Sequence, residues 1–61
     1  MKMKHTVKLE SGEKVVYYFK NMNESDKAIK NAKILNKTLN TIKCIWIEPI
    51  NNPTKRVRID F

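Results

Sequence analysis

Four short stretches of this chain alternate apolar and polar residues, and one longer stretch between them follows helical spacing. From Lys2 to Leu9, Met3, His5, Val7 and Leu9 alternate with Lys2, Lys4, Thr6 and Lys8. This period of two is that of a half-buried strand. Lys14 to Lys20 repeats it, with Val15, Tyr17 and Phe19 on one side and Val16 and Tyr18 on the other. The β-branched and aromatic residues favour extended backbone. Glu10-Ser11-Gly12 joins the two and holds the only glycine, which takes the positive φ of a three-residue hairpin loop at little cost. That loop pairs Met3 with Phe19, His5 with Tyr17 and Val7 with Val15, which leaves one face wholly apolar. A two-residue loop would slip the register by one and mix the faces. The three-residue loop sets Lys8 opposite Lys14, a mild repulsion.

Asn21 to Ser25 reads as a helix start. Asn23 or Ser25 is the expected cap, and Glu24 and Asp26 suit the positive helix end. Ala28, Ala32, Leu35 and Leu39 then recur at helical spacing, which predicts the stripe that faces the sheet, with Ile29 on its flank. Lys27, Lys30, Lys33 and Lys37 take the other side, with Ile34 among them, and Asn40 is a good left-handed terminator. About sixteen residues at ~1.5 Å each span a small sheet.

Thr41 to Glu48 is apolar on both sides, with Ile42, Cys44 and Trp46 against Ile45 and Ile47, as in a central strand. Pro49 and Pro53 bracket a turn at Asn51-Asn52. Lys55 to Phe61 alternates again. Pairing Glu48 with Lys55 sets Trp46 against Val57 and Cys44 against Ile59 on the helix side. It leaves Ile45 beside Arg58, Ile47 beside Arg56 and Lys43 beside Asp60 on the other. The expected fold class is α+β: one ββαββ domain over residues 1–61, a four-stranded, mainly antiparallel sheet with one helix on one face. Strand order 2-1-3-4 is preferred over 1-2-3-4, which would make the second and third strands parallel.

A chain of 61 residues buries only about 60% of its unfolded surface, so packing or self-association must stabilise it. Cys44 and His5 are the only cysteine and histidine. A disulfide within the chain is therefore excluded and a four-ligand zinc site is not expected; no cofactor is expected either. A single unpaired cysteine suits a reducing compartment. No stretch approaches the ~18 apolar residues of a membrane span, and the basic start lacks the apolar run of a signal peptide. A cytoplasmic location is expected, without membrane association.

The formal net charge is +7, which favours polyanionic partners, although richness in Lys, Asn and Ile also matches AT-rich coding. In this reading the open sheet face shows Val16, Tyr18, Ile45 and Ile47 among Lys2, Lys4, Lys8, Lys14, Lys20, Lys43, Arg56 and Arg58. Aromatic groups that stack on bases and cations that hold phosphates are what nucleic acid on a sheet requires. The expected function is therefore non-enzymatic binding of DNA or RNA, or of a nucleic-acid-associated complex, by Lys4, Lys8, Tyr18, Lys20, Lys43, Arg56 and Arg58. The alternative is a protein interaction module or inhibitor, of the kind that phages and mobile elements encode. It would dimerise or dock on an acidic protein surface through Val16, Tyr18, Ile45 and Ile47. Lysines on exposed strands also guard against aggregation, and a lysine stripe on a helix is most often a solvated face. His5 and Cys44 read as core residues, and the carboxylates each have a structural place, so no catalytic residue is expected.

Overall fold

The computed structural model describes residues 1–61. Its elements are β1 (Met3–Leu9), β2 (Lys14–Phe19), α1 (Met22–Leu39), β3 (Ile42–Pro49) and β4 (Val57–Asp60), with a 3₁₀ turn at Pro53–Lys55. They form the α+β architecture expected: one antiparallel four-stranded sheet in the order β2-β1-β3-β4, with the helix between the second and third strands in sequence. No helix is long and apolar enough to cross a membrane.

The first hairpin has the register that the three-residue loop dictates. Met3 faces Phe19, His5 faces Tyr17, Val7 faces Val15 and Lys8 faces Lys14. Gly12 has φ +95°, and the Leu9 amide closes the loop on the Glu13 carbonyl at 2.9 Å. β1 then pairs with β3 along its other edge, setting Val7 against Ile45 and His5 against Ile47, with a bulge between Lys8 and Leu9.

The second hairpin departs from expectation by one residue. Ile47 pairs with Val57, Ile45 with Ile59, Trp46 with Arg58 and Cys44 with Asp60. The turn explains the shift. Pro53 opens a 3₁₀ turn that uses Lys55, whose amide donates to the Asn52 carbonyl at 3.1 Å, so Lys55 cannot pair with Glu48. A one-residue slip exchanges the faces of a strand. Ile45 and Ile47 therefore lie on the helix side with Val7 and His5, and Ile45 is only 2% exposed. They are core residues, not exposed interface anchors. Trp46 and Cys44 move to the open side. Branched isoleucines fit the close approach of a helix carrying Ala28 and Ala32, whereas an indole prefers a boundary with one wet side.

The helix is also rotated from the expected stripe. Asn21, not Asn23 or Ser25, caps it, and its side-chain oxygen accepts from the Glu24 amide at 3.0 Å. Asn40 ends it in the left-handed conformation. Ser25 and Ile29 are buried, Ala28, Ala32 and Asn36 are half-buried, and Leu35 and Leu39 are exposed. Two polar side chains set this rotation. Ser25 Oγ lies 2.6 Å from His5 Nε2 in the interior. The Asn36 amide exchanges two hydrogen bonds with the Ile42 backbone, accepting from its N–H at 2.9 Å and donating to its carbonyl at 3.1 Å. Both residues share the line of Ile29 and Ala32, so satisfying them turns that line to the sheet and leaves Leu35 and Leu39 beside it. The core is small: Val7, Ile29 and Ile45, with Leu9, Ala32, Ile42, Ile47 and Ile59 packed around them.

Candidate nucleic-acid interface

The sheet face away from the helix is uncovered, and strand pairing sets its side chains in rows. One row runs Val16, Thr6, Trp46, Arg58; the next runs Lys14, Lys8, Cys44, Asp60; a third runs Tyr18, Lys4, Glu48. Cations from both ends of the sheet converge on Trp46. The Arg56 guanidinium lies 4.8 Å from the ring centroid, the Arg58 guanidinium 5.6 Å and the Lys14 ammonium 5.7 Å. Each lies within the ~6 Å over which a cation is attracted to an indole face. Strand pairing sets Arg58 directly opposite Trp46, and Arg56 and Lys14 reach the ring beside it.

Arg58 is fixed a second time. Its Nε donates to Asp60 Oδ1 at 2.8 Å. That bond and the carboxylate's charge push the Arg58 pKa up from an already high value, so the guanidinium stays charged at any working pH. Glu48 and Asp60 are the acids of this face, against Lys4, Lys8, Lys14, Arg56 and Arg58. Tyr18 is 67% exposed and Val16 43%, so an aromatic and an aliphatic surface stand open beside the cations. The arrangement offers charge for phosphates and flat π surfaces for bases on one side of the sheet.

The expected site residues divide accordingly. Tyr18, Lys4, Lys8, Arg56 and Arg58 share the open face, as does Val16. Lys20 is exposed just past the end of β2, where its amide donates to Glu24 Oε2 at 3.3 Å. Lys43 is exposed beside the bulge of β3. Neither is among the cations over Trp46. Ile45 and Ile47 leave the site altogether, which removes two of the four proposed protein anchors. Trp46 is the addition, and Lys14, expected on this face, reaches its ring. A signal for Trp46 was present in the alternation of Arg56 and Arg58 with Val57 and Ile59, which puts two arginines on the face opposite the core. Only the register of the second hairpin decides that Trp46 joins them.

Cys44 and His5 end on opposite sides of the sheet. Cys44 shares a row with Lys8 and Asp60 yet has no exposed surface. His5 is buried on the helix side against Phe19, with ring centroids 4.3 Å apart. Burial lowers the His5 pKa from its ordinary 6.5, against an opposing pull from Asp26. The two residues thus form no thiol–imidazole pair. No three His, Cys, Asp or Glu side chains come close enough together to hold a metal ion. Comparison with protein-family models, curated proteins and solved structures gives no match to this chain.

Proposed function

We propose that this protein is a non-enzymatic binder of single-stranded nucleic acid that works through the open face of its sheet. The observation that carries the reading is the convergence of Arg56, Arg58 and Lys14 on Trp46. The ring holds the cations in place before any ligand arrives, so less side-chain freedom is lost when they take up phosphates. Lys4 and Lys8 extend the charge across β1, and bases stack on Tyr18 and on the Trp46–Arg56 platform. Such a surface is tolerant of sequence, because every base has a π face. A reducing compartment, the cytoplasm, fits the unpaired Cys44.

Trp46 is the only tryptophan, so its fluorescence reports directly on the site. Titration with mixed-sequence single-stranded DNA and RNA oligonucleotides should change the emission. Log affinity should fall against log salt with a slope near −3.5 for each bound chain, as about five phosphate contacts at ~0.7 each require. Unchanged emission, or affinity indifferent to salt, would overturn the reading.

Val16 and Tyr18, exposed beside the cations, favour a second reading in which the same face docks on an acidic protein surface. There, an acidic protein at equal charge would displace the oligonucleotide.

A further inference from the structure

The two edges of the sheet are built differently. β4 is four residues long and carries Arg58 and Asp60, as guarded edges do. β2 is six residues long, and Val15, Val16, Tyr17, Tyr18 and Phe19 run without a charge, a proline or a glycine. Lys14, the charge that could guard it, leans over Trp46 instead. Beside β2, on the helix side, the rotation of the helix leaves an apolar groove of about 510 Å³ between Val15, Tyr17 and Phe19 on the strand and Ala28, Ala32 and Leu35 on the helix. Tyr17 is 52% exposed and Leu35 58%. The helix lysines Lys30, Lys33 and Lys37 sit off this flank, and the groove lining has no charged residue.

We infer that β2 and this groove are the seat of a second copy of the chain, whose own β2 pairs antiparallel with it about a two-fold axis. An antiparallel edge is complementary to itself, and a two-fold places the same patch on both partners. The uncharged lining rejects a polyanion or an acidic peptide but accepts the Tyr17 and Leu35 of another copy. The area agrees. The chain exposes 4583 Å², whereas a folded monomer of 7.2 kDa exposes about 4,100 Å². The excess over the whole chain is roughly 480 Å², against the ~800 Å² that each partner buries in a stable interface. Pairing joins the two sheets into one of eight strands, with both helices on the same side. Val16 and Tyr18 of both copies then meet at the centre of one continuous open face. This shared face deepens the nucleic-acid reading and rests on it; the interface itself does not.

Sedimentation equilibrium of the full chain without nucleic acid tests the interface. The expected result is a mass twice 7.2 kDa at micromolar concentration. Tyr17→Glu and Leu35→Glu, both at exposed positions, should each weaken the dimer on the order of 100-fold by burying a charge, with the helical circular dichroism retained. Val57→Glu beside the β4 edge should leave the mass unchanged. A monomeric wild type, or a dimer indifferent to both groove substitutions, would overturn the interface. With a long single-stranded oligonucleotide, the Tyr17→Glu monomer should cover half the nucleotides of the dimer, at about half the salt slope. Equal coverage would overturn the shared face. A wild-type dimer that ignores the oligonucleotide upholds the interface and overturns the nucleic-acid reading alone.

Discussion

The two faces of the sheet are organised by opposite means. On the helix side, hydrogen-bonded polar groups position an apolar layer: buried Ser25 on His5 and half-buried Asn36 on the Ile42 backbone fix how the helix lies on Val7, Ile29 and Ile45. On the open side, one aromatic ring positions charge, with three cations held over Trp46. The helix side is the stability of the protein, and little of it is spare, since a domain of this size has only about 3–9 kcal/mol in all. Apart from the buried Cys44, the open side contributes few buried contacts, so its exposed residues can be changed with the fold intact.

Substitutions separate the two faces in a graded way. The largest effect belongs to Ile45→Asp, which puts an unpaired carboxylate into the centre of the core. It should abolish cooperative thermal unfolding and the helical circular dichroism signal, because more than ~4 kcal/mol is lost. A folded Ile45→Asp variant would mean that Ile45 faces solvent and that the two faces are exchanged. Asn36→Ala comes next. It orphans the Ile42 amide and carbonyl and should lower the urea-unfolding free energy by about 1–3 kcal/mol. Hydrogen exchange should speed up most at Ile42 and the last turn of α1.

On the open side, Arg56→Ala with Arg58→Ala should leave the urea midpoint nearly unchanged. The double variant should bind oligonucleotides with a salt slope shallower by about 1.4 for each bound chain, or ~0.7 for each lost phosphate contact. The smallest effect is that of pH on the helix side. His5 has its pKa lowered by burial, so the unfolded chain takes up its proton first. Stability should therefore be flat above about pH 6.5 and decline as pH falls below it, down to the folded pKa. His5→Gln should remove the decline just below pH 6.5 and leave only the carboxylate effects at lower pH. A stability that rose on acidification through that range would contradict a buried neutral His5.

Much of this was legible in the sequence, and the limits have physical causes. The β1–β2 register followed from the three residues Glu10-Ser11-Gly12, because loop length and alternation agreed there. Asn40 ended the helix as its left-handed preference suggests, whereas the order 2-1-3-4 was only the preferred one of two, and the pairing of β1 with β3 decides it. The β3–β4 register did not follow, because β3 is apolar on both sides and so does not specify which side is buried. The choice fell to the turn, where Pro53 starts a 3₁₀ segment that consumes Lys55. That one residue carried Trp46 to the open face and Ile45 and Ile47 to the core. The helix stripe was misplaced for a related reason. Apolarity singled out Leu35 and Leu39, but hydrogen-bonded Ser25 and Asn36 took the sheet-facing line. Of the candidate site, the charged residues and Tyr18 could be read from their alternation, whereas the aromatic centre that gathers them required the register.

Trp46 sits at the centre of the cations on the proposed nucleic-acid-binding face. The affinity of Trp46→Ala for a single-stranded oligonucleotide across a range of salt, beside the urea stability of the same variant, tests its role. Trp46→Ala should lose about 1–3 kcal/mol in binding at all salts, with cooperative unfolding kept. Binding equal to wild type in a folded Trp46→Ala variant would contradict it.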